Sequence, residues 1–328
     1  MQKENLNSSR SFTLKLKEKY KKLFKICKKY KCTDFLENYK PLSHGRYSVV
    51  LLSKDKTHII KIFFEKGSSE ELKNEIKILQ KLNNEDETKN CDNIIKHLSY
   101  SYRKDCPLRY IKYEYCEGSE LFCWDTEDLN DLAKFQIIMQ LTNAVKHTHD
   151  LDIIHCDIKM ENIFIKYNDL SEDIDYLKSS DIYNNKITFK LGDWNLASFK
   201  NVRGRLGTTE YMSPEVIRDK HITKKNDIWA IGVVLYQLVY DNYPFTNDRD
   251  KITMLLIKRY ADGLHKLEYK GSIFDDILKQ LLEPDITKRL CIEEVIEKLI
   301  ELKFKILENF NECDEDDSNI DNKNSEED

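Results

Sequence analysis

Two short polar stretches of the sequence carry the residue types that phosphoryl transfer needs. Residues 155–162 read HCDIKMEN, and residues 191–195 read LGDWN. Transfer of a phosphoryl group from ATP requires a carboxylate that orients the attacking hydroxyl, oxygen ligands for a magnesium ion, and a lysine near the developing charge. The two stretches contain these groups in that order: Asp157, Asn162 with Asp193, and Lys159. Either stretch alone could be a turn of chance polar residues, but each stands next to an apolar strand-like run, and together they favour this chemistry.

The same residues belong to a longer pattern. Over roughly residues 37–308 the chain resembles the eukaryotic protein kinase family, serine/threonine type, as a divergent member. The loop HxDxKxxN is followed by DWN, where the family usually has DFG. Lys61 matches the lysine that contacts the ATP phosphates, and Glu75 matches its partner on the next helix. The resemblance implies that Asp157, Lys159, Lys61 and Glu75 are catalytic, and that Asn162 and Asp193 hold Mg²⁺ or Mn²⁺.

Two other segments align with the parts of the family that contact ATP. Residues 42–50, LSHGRYSVV, stand where the family has GxGxxGxV and keep only the middle glycine. Because this loop brings backbone N–H groups close to phosphates, and serine has less backbone freedom than glycine, we expect slower ATP handling. Residues 113–121, YEYCEGSEL, resemble the segment that contacts adenine and ribose. The resemblance implies an ATP site formed by Ser43, Gly45, Ser48, Val50, Ile59, Lys61, Tyr113, Glu114, Cys116, Glu120 and Phe164.

Two further stretches resemble the part of the family that binds polypeptides. Residues 212–215, MSPE, match the APE motif, and Arg289 matches its distant salt-bridge partner. Residues 227–232, DIWAIG, match a buried helix that anchors the catalytic loop. In the family these parts build a platform for a protein substrate. The resemblance therefore implies protein substrates and argues against a small-molecule kinase.

The leading interpretation is an ATP-dependent protein kinase that transfers the γ-phosphoryl group to serine or threonine hydroxyls. Lys159 and Thr208 resemble the serine/threonine branch of the family. The alternative is a pseudokinase scaffold that binds nucleotide without efficient catalysis. Four departures from the family pattern support this alternative: Ser43, Ser48, Trp194 and Asn195. The complete set of phosphoryl-transfer residues favours the active enzyme.

Two replaced residues bear on regulation and on substrate choice. Most family members have an arginine before the catalytic aspartate, which pairs with a phosphate on the activation loop. Here that residue is Cys156, and the usual phosphorylation position is Gly204, so we expect activity that does not require activation-loop phosphorylation. Glu120 and Glu161 could attract a basic residue upstream of the target, although the third carboxylate of basophilic members is Gln237 here.

Charge is unevenly distributed along the 328 residues, whose net charge is −5. Residues 1–32 carry eleven Lys or Arg against two Glu, a net charge of +9, and residues 311–328 have a net charge of −8. The body between these segments is mildly acidic. This argues against nucleic-acid binding as the main activity, because neutralising phosphates needs clustered positive charge.

The cysteines and the apolar runs bear on location. Nine cysteines are scattered, without a CxxC pair or a Cys/His cluster at zinc spacing, as is typical of free thiols in a reducing compartment. The N-terminus has no apolar signal core. The longest apolar run, residues 228–240, is shorter than the ~20 residues that span a bilayer. The sequence predicts no transmembrane segment and a cytoplasmic location, with the nucleus also open.

Periodicity predicts a small β-rich part followed by a larger helical part, and the resemblance implies the α+β, bilobal protein kinase fold. The predicted boundaries are 1–36 for a basic extension, 37–115 for the small lobe, 116–308 for the large lobe with a polar inserted loop at 168–185, and 309–328 for an acidic disordered tail. Strands are predicted around 42–53, 58–64, 94–102, 109–115, 163–165 and 187–191, and a helix over 68–82.

Residues 12–30 have apolar side chains at helical spacing and lysines elsewhere, which predicts a basic amphipathic helix. Three interpretations remain open: packing on the kinase body, binding to anionic membrane, and recognition by a calmodulin-like protein. We favour packing, because it needs no partner. Lys17 and Lys21 interrupt the apolar stripe, which weakens the membrane interpretation. The acidic tail is a second counter-charge within the chain, and a regulatory partner at either segment stays open.

Overall fold

The chain divides into two structural units. The computed structural model describes residues 2–30, 33–45, 48–64, 68–83, 90–102, 108–169, 176–245 and 250–321. The first unit comprises Met1–Asn90 and Ile95–Glu117, and the second comprises Cys91–Ile94 and Gly118–Asp328. The sequence predicts the lobe boundary after residue 115, but residues 91–94 group with the second unit, which the sequence does not indicate.

The described residues of the first unit form three helices: α1 (Gln2–Lys29), α2 (Thr33–Glu37) and α3 (Ser68–Leu82). The helices predicted over 12–30 and 68–82 are confirmed, although α1 begins earlier; the side chain of Phe12 lies outside the described residues. Glu70 and Glu71 lie in the first turn of α3, where negative charge is favourable because backbone N–H groups point out of that end.

A five-stranded antiparallel sheet forms the rest of the first unit, in the order β1-β2-β3-β5-β4. Its strands are β1 (Tyr39–His44), β2 (Ser48–Ser53), β3 (His58–Phe63), β4 (His97–Tyr102) and β5 (Arg109–Glu114). Two valines of β2 and three isoleucines of β3 are β-branched, a residue type that packs well on a half-buried strand surface. Lys61 pairs with Val50 on one side and with Ile111 on the other, so it stands on the central strand.

Helix α1 is part of the core of the first unit. Leu23 and Cys27 are fully buried in a cluster with residues of α2, of the sheet and of the position before β5, which are Leu36, Val49, Leu51, Ile60, Ile62 and Leu108. Leu16, Tyr20 and Ile26 pack against this cluster from the same side of the helix. Full burial of a leucine-sized side chain contributes about 1.5–3 kcal/mol. The structure therefore agrees with the favoured interpretation, in which this helix packs on the body of the protein. The boundary predicted at residue 36 does not divide two separate parts, because α1 and the sheet share one hydrophobic cluster.

The second unit is mainly helical. Its helices are α4 (Asp131–Asp150), α5 (Ser179–Tyr183), α6 (Pro214–Asp219), α7 (Lys224–Tyr240), α8 (Asp250–Ala261), α9 (Asp275–Leu281) and α10 (Ile292–Asp321). Two small antiparallel pairs complete it: β6 (Ile163–Tyr167) with β7 (Ile187–Leu191), and β8 (Val202–Arg203) with β9 (His221–Ile222). Helix α7 is buried from Asn226 to Leu238, which explains its long apolar run. No helix in the described parts of the chain has the length and apolar character to cross a membrane.

Two predictions for the second unit differ from the structure. The segment 168–185 is predicted as a loop, but its described part contains α5, because Leu177 and Ile182 are buried and give the polar stretch an apolar anchor. Disorder is predicted from residue 309, whereas α10 continues to Asp321. Extending a helix that is already nucleated by packed turns fixes only one residue per added hydrogen bond, which explains the continuation. Residues 322–328 lie outside the described residues.

Candidate active site

A buried ion pair stands at the centre of the first unit. Lys61 on β3 donates from Nζ to both carboxylate oxygens of Glu75 on α3, each at 3.0 Å. Glu75 is fully buried. The Tyr113 hydroxyl on β5 donates to Oε1 of Glu75 at 2.6 Å. A buried carboxylate is costly unless it is paired and hydrogen-bonded, and these three contacts meet that requirement.

The role of the Tyr113 hydroxyl can be tested with Tyr113→Phe, which keeps the ring and removes the donor. A buried acceptor that loses a partner costs about 1–3 kcal/mol, so we expect a lower melting temperature. We also expect a raised KM for ATP, because Glu75 then holds Lys61 less firmly. Thermal unfolding and steady-state kinetics measure the two effects.

The matched control for this substitution is Tyr110→Phe. Tyr110 lies three residues earlier on β5, its ring packs on Phe35, and its hydroxyl has no hydrogen bond among the described residues. Equal effects of the two substitutions would show that the Tyr113 hydroxyl does not position Glu75.

The second unit holds Asp157 in a fixed orientation. Its Oδ1 accepts hydrogen bonds from the backbone N–H and the hydroxyl of Thr208, both at 2.9 Å. Lys159 Nζ lies 3.5 Å from Oδ2 of Asp157 and donates to the Thr208 hydroxyl oxygen at 3.0 Å. Asp157 thus has one oxygen held by Thr208 and the other beside a cation. This is the arrangement expected of a carboxylate that orients a substrate hydroxyl.

A buried carboxylate from α7 fixes the loop that carries Asp157. Asp227 accepts from the backbone N–H of His155 at 2.9 Å and of Cys156 at 3.0 Å. The His149 ring lies 3.0 Å from the same carboxylate. Cys156 has the left-handed backbone angle φ 68°, and these two consecutive N–H bonds hold the turn. The anchoring role that the resemblance implies for residues 227–232 is confirmed at Asp227.

The two predicted metal ligands are tied together through their backbones. Gly192 N–H, next to Asp193, donates to the Asn162 carbonyl at 2.9 Å. The amide nitrogen of Asn162 donates to the Asp157 carbonyl at 2.8 Å, so its amide oxygen is the atom that could bind the predicted metal. No group of three or more His, Cys, Asp or Glu side chains that could hold a metal occurs in the described ranges. One carboxylate and one amide oxygen fit Mg²⁺, which is usually held by few protein ligands together with substrate phosphates.

Trp194 replaces the usual phenylalanine without losing its contact. The indole is fully buried and meets the His155 ring edge-on, with the ring centres 4.8 Å apart. His155 in turn lies 3.0 Å from the Gly192 carbonyl through Nε2. The indole nitrogen and the Asn195 side-chain oxygen have no hydrogen-bond partner among the described residues, a cost that phenylalanine and glycine would not carry.

The remaining residues that the resemblance assigns to ATP are divided between the units. In the first unit they lie on the sheet or directly beside it: Ser43 on β1, Gly45 after it, Ser48 and Val50 on β2, Ile59 on β3, Tyr113 and Glu114 on β5, and Cys116 after it. In the second unit Glu120 pairs with Phe164 in an isolated antiparallel bridge. Gly118 approaches Ile165 so closely that an added Cβ would lie 2.6 Å from its side chain.

One contact at Gly45 was not predicted from the sequence. Lys19 of α1 donates from Nζ to the Gly45 carbonyl at 2.7 Å, within the first unit. The Gly45 N–H donates to the Ser48 carbonyl at 3.2 Å and closes the base of the loop. Residues 46 and 47 lie outside the described residues. No motif marks Lys19, because only the packing of α1 on the sheet brings it to the loop.

Acidic side chains cluster near Asp157 in the second unit. Burial raises the pKa of Glu120, and the nearby charges of Glu161 and Asp193 raise it further, while Lys159 lowers it. Oε2 of Glu161 is buried without a hydrogen-bond partner among the described residues. Gln237, which stands where basophilic relatives have a third carboxylate, accepts from the Tyr211 hydroxyl at 2.8 Å.

The predicted salt bridge between Glu215 and Arg289 is confirmed. Arg289 donates from Nη1 and Nη2 to the two carboxylate oxygens at 2.6 and 3.0 Å. Its remaining donors reach the carbonyls of Glu283 at 2.8 Å and Lys225 at 3.0 Å. The guanidinium lies 5.0 Å above the Trp229 ring. Arg289 is buried, so this two-pronged pair fixes the start of α6 to the end of the helical body.

Comparison with known proteins agrees with this geometry. Residues 36–299 match the family described as protein kinase domain. The chain is 29% identical over 283 residues to serine/threonine-protein kinase 33 of Bos taurus, covering 78% of this chain and 53% of that protein. It is 28% identical over 287 residues to Aurora/IPL1-related protein kinase 2 of Caenorhabditis elegans, covering 82% and 83%. It is also 28% identical over 285 residues to calcium-dependent protein kinase 5 of Plasmodium falciparum, covering 82% and 45%. The chain therefore spans about half the length of two of these relatives.

Proposed function

Because the chain belongs to the protein kinase family, we propose that it is a serine/threonine protein kinase that transfers the γ-phosphoryl group of Mg-ATP or Mn-ATP to hydroxyls of protein substrates. The observation that carries this proposal is the Asp157, Lys159 and Thr208 hydrogen-bond set, in which the carboxylate is oriented and a cation stands beside it. The Glu215–Arg289 pair supports a protein substrate, because in the family this pair holds the platform for a polypeptide.

Each residue of the set has a chemical task in the proposed reaction. Asp157 orients the substrate hydroxyl and accepts its proton through Oδ2, while Thr208 holds Oδ1. Lys159 stabilises negative charge that develops near the transferred group. In the first unit, Glu75 and Tyr113 keep Lys61 in place for the phosphates. Mg²⁺, held by Asn162 and Asp193, would neutralise charge on the phosphates.

We further propose that the enzyme is active without a phosphate on its activation loop. The Cys156 thiol is kept neutral, because burial and then the charges of Asp227 and Asp157 raise its pKa. Such a group cannot pair with a phosphate. Gly204 has a backbone angle of φ +150°, which side chains rarely adopt, and its N–H donates to the Lys220 carbonyl at 2.7 Å. Together with the β8–β9 pairing, this backbone bond supports a segment that is held without phosphate.

Phosphatase treatment tests this part of the proposal. We expect the dephosphorylated protein to keep most of its ATP-dependent phosphate transfer to a generic serine/threonine substrate. The reason is that Cys156 cannot form an ion pair with a loop phosphate, so removing such a phosphate breaks no contact. Radiolabel incorporation, with mass spectrometry of residues 198–209, measures activity and loop phosphorylation together. A large loss of activity that returns when one loop residue is phosphorylated would overturn the proposal.

The pseudokinase alternative has one structural observation in its favour. The unpartnered indole nitrogen of Trp194 and side-chain oxygen of Asn195 make the segment after Asp193 less stable than the usual pattern would be. Nucleotide binding without any phosphate incorporation would favour this alternative.

Two finer proposals concern substrate preference and location. The Glu120–Glu161 cluster favours a substrate with a basic residue upstream of the target hydroxyl. The scattered free cysteines favour a cytoplasmic location.

A further inference from the structure

Helix α1 has two faces with different surroundings. One face, formed by Leu16, Tyr20, Leu23 and Cys27, is packed into the core of the first unit. The opposite face is exposed and carries seven lysines: Lys15, Lys17, Lys21, Lys22, Lys25, Lys28 and Lys29. Glu18 is the one acidic residue among these positions. We call this exposed side the lysine face.

The lysine face also presents apolar groups. Leu14 is 62% exposed and Phe24 is 46% exposed, and helical spacing places both among the lysines. At 1.5 Å per residue, the face from Leu14 to Lys29 extends over roughly 22 Å. Lys21, Lys25 and Lys28 form no ion pair with any described residue. The face is therefore long and cationic, and it carries two exposed apolar side chains.

We propose that the lysine face binds the anionic surface of a lipid bilayer. Lys21, Lys25, Lys28 and Lys29 lie close together on this side of the helix, so a flat negative surface meets them at once. Leu14 and Phe24 are residue types that enter the headgroup boundary. A calmodulin-like partner fits less well, because it would need the apolar stripe that is already buried on the sheet. Nucleic acid would use the lysines but gives no role to Leu14. The packing of α1 and its binding to membrane thus use opposite faces and do not compete.

Vesicle sedimentation of the full chain tests this proposal. The probes are vesicles of phosphatidylcholine alone and of phosphatidylcholine mixed with phosphatidylserine. We expect binding only to the mixed vesicles, weakened by salt because exposed charges are screened. Each basic residue near an anionic surface strengthens binding about fivefold, so the variant Lys21→Glu/Lys25→Glu/Lys28→Glu should bind at least about 100-fold more weakly.

A matched variant separates the lysine face from net charge. Lys266→Glu/Lys303→Glu/Lys305→Glu changes the same total charge at exposed positions of the second unit and should keep binding close to that of the unchanged protein. Phe24→Ser should weaken vesicle binding with no change of charge, and an unchanged melting temperature excludes unfolding as the cause. The proposal fails if the mixed vesicles are not bound, if both triple variants lose binding equally, or if the chain binds duplex DNA but no vesicles.

Discussion

Asp157→Asn is expected to lower kcat by about 10²–10⁴-fold, the usual contribution of a single general base. One carboxylate oxygen of Asp157 accepts two hydrogen bonds from Thr208, and the other lies beside Lys159. In asparagine an NH₂ group replaces one of these oxygens. It would face either the Thr208 donors or the Lys159 ammonium, and it could accept a hydrogen bond from neither. The substitution therefore both removes the base and disturbs the group that orients the hydroxyl. Initial rates of phosphate transfer, at saturating ATP, measure the effect.

Two readouts separate lost chemistry from lost structure in this variant. Asp181→Asn is the matched control, because Asp181 is similarly buried but lies on α5, outside the catalytic loop. We expect that control to keep most of its activity. Stabilisation of Asp157→Asn by Mg-ATP in a melting experiment should persist, since Asn162 and Asp193 are unchanged. Activity that survives in Asp157→Asn would remove the basis of the proposed mechanism.

Arg289→Met is expected to destabilise the protein by about 3–5 kcal/mol, as is usual when one partner of a buried ion pair is removed. Methionine fills a similar volume, but Glu215 would keep a buried charge with no cation beside it. The carbonyls of Glu283 and Lys225 would lose their donor as well. Urea unfolding measures the loss as a lower midpoint.

Two further variants test whether the buried charge causes this loss. Adding Glu215→Gln to Arg289→Met should recover part of the stability, because the unpaired charge is then gone. Lys298→Met removes an exposed partner of Glu301 and should change stability by less than about 1 kcal/mol. If the single and double variants at positions 289 and 215 were equally unstable, packing around Trp229 would explain the loss instead.

The sequence predicts those parts of the site that depend on short spacing. Asp157, Lys159 and Asn162 lie within six residues, so their types and order alone indicate their chemistry. β-Branched and aromatic residues also identify the strand that carries Lys61, and the Ser68–Glu71 start signal identifies the helix that carries Glu75. Arg289 is far from Glu215 in sequence, and its pairing was expected only through the family resemblance.

Contacts that arise from tertiary packing could not be predicted in this way. Tyr113 looks like an ordinary core aromatic, and only the close approach of β5 to α3 directs its hydroxyl to Glu75. Lys19 is one lysine among many, and only the docking of α1 brings it to Gly45. Helix α5 is not predicted from the sequence, because polar residues outnumber apolar ones over 168–185, although the burial of Leu177 and Ile182 holds this short helix.

The packing of α1 on the sheet also bears on where the folded kinase domain begins. The family match starts at residue 36, yet Leu23 and Cys27 share one hydrophobic cluster with Val49 and Ile60. A chain trimmed at the family boundary would leave that side of the sheet uncovered, and contiguous exposed apolar surface promotes aggregation. The hydrophobic core of the first unit therefore extends beyond the residues that match the family. A shortened chain made for expression should therefore keep α1, and domain boundaries drawn from the family match alone should be extended to include it.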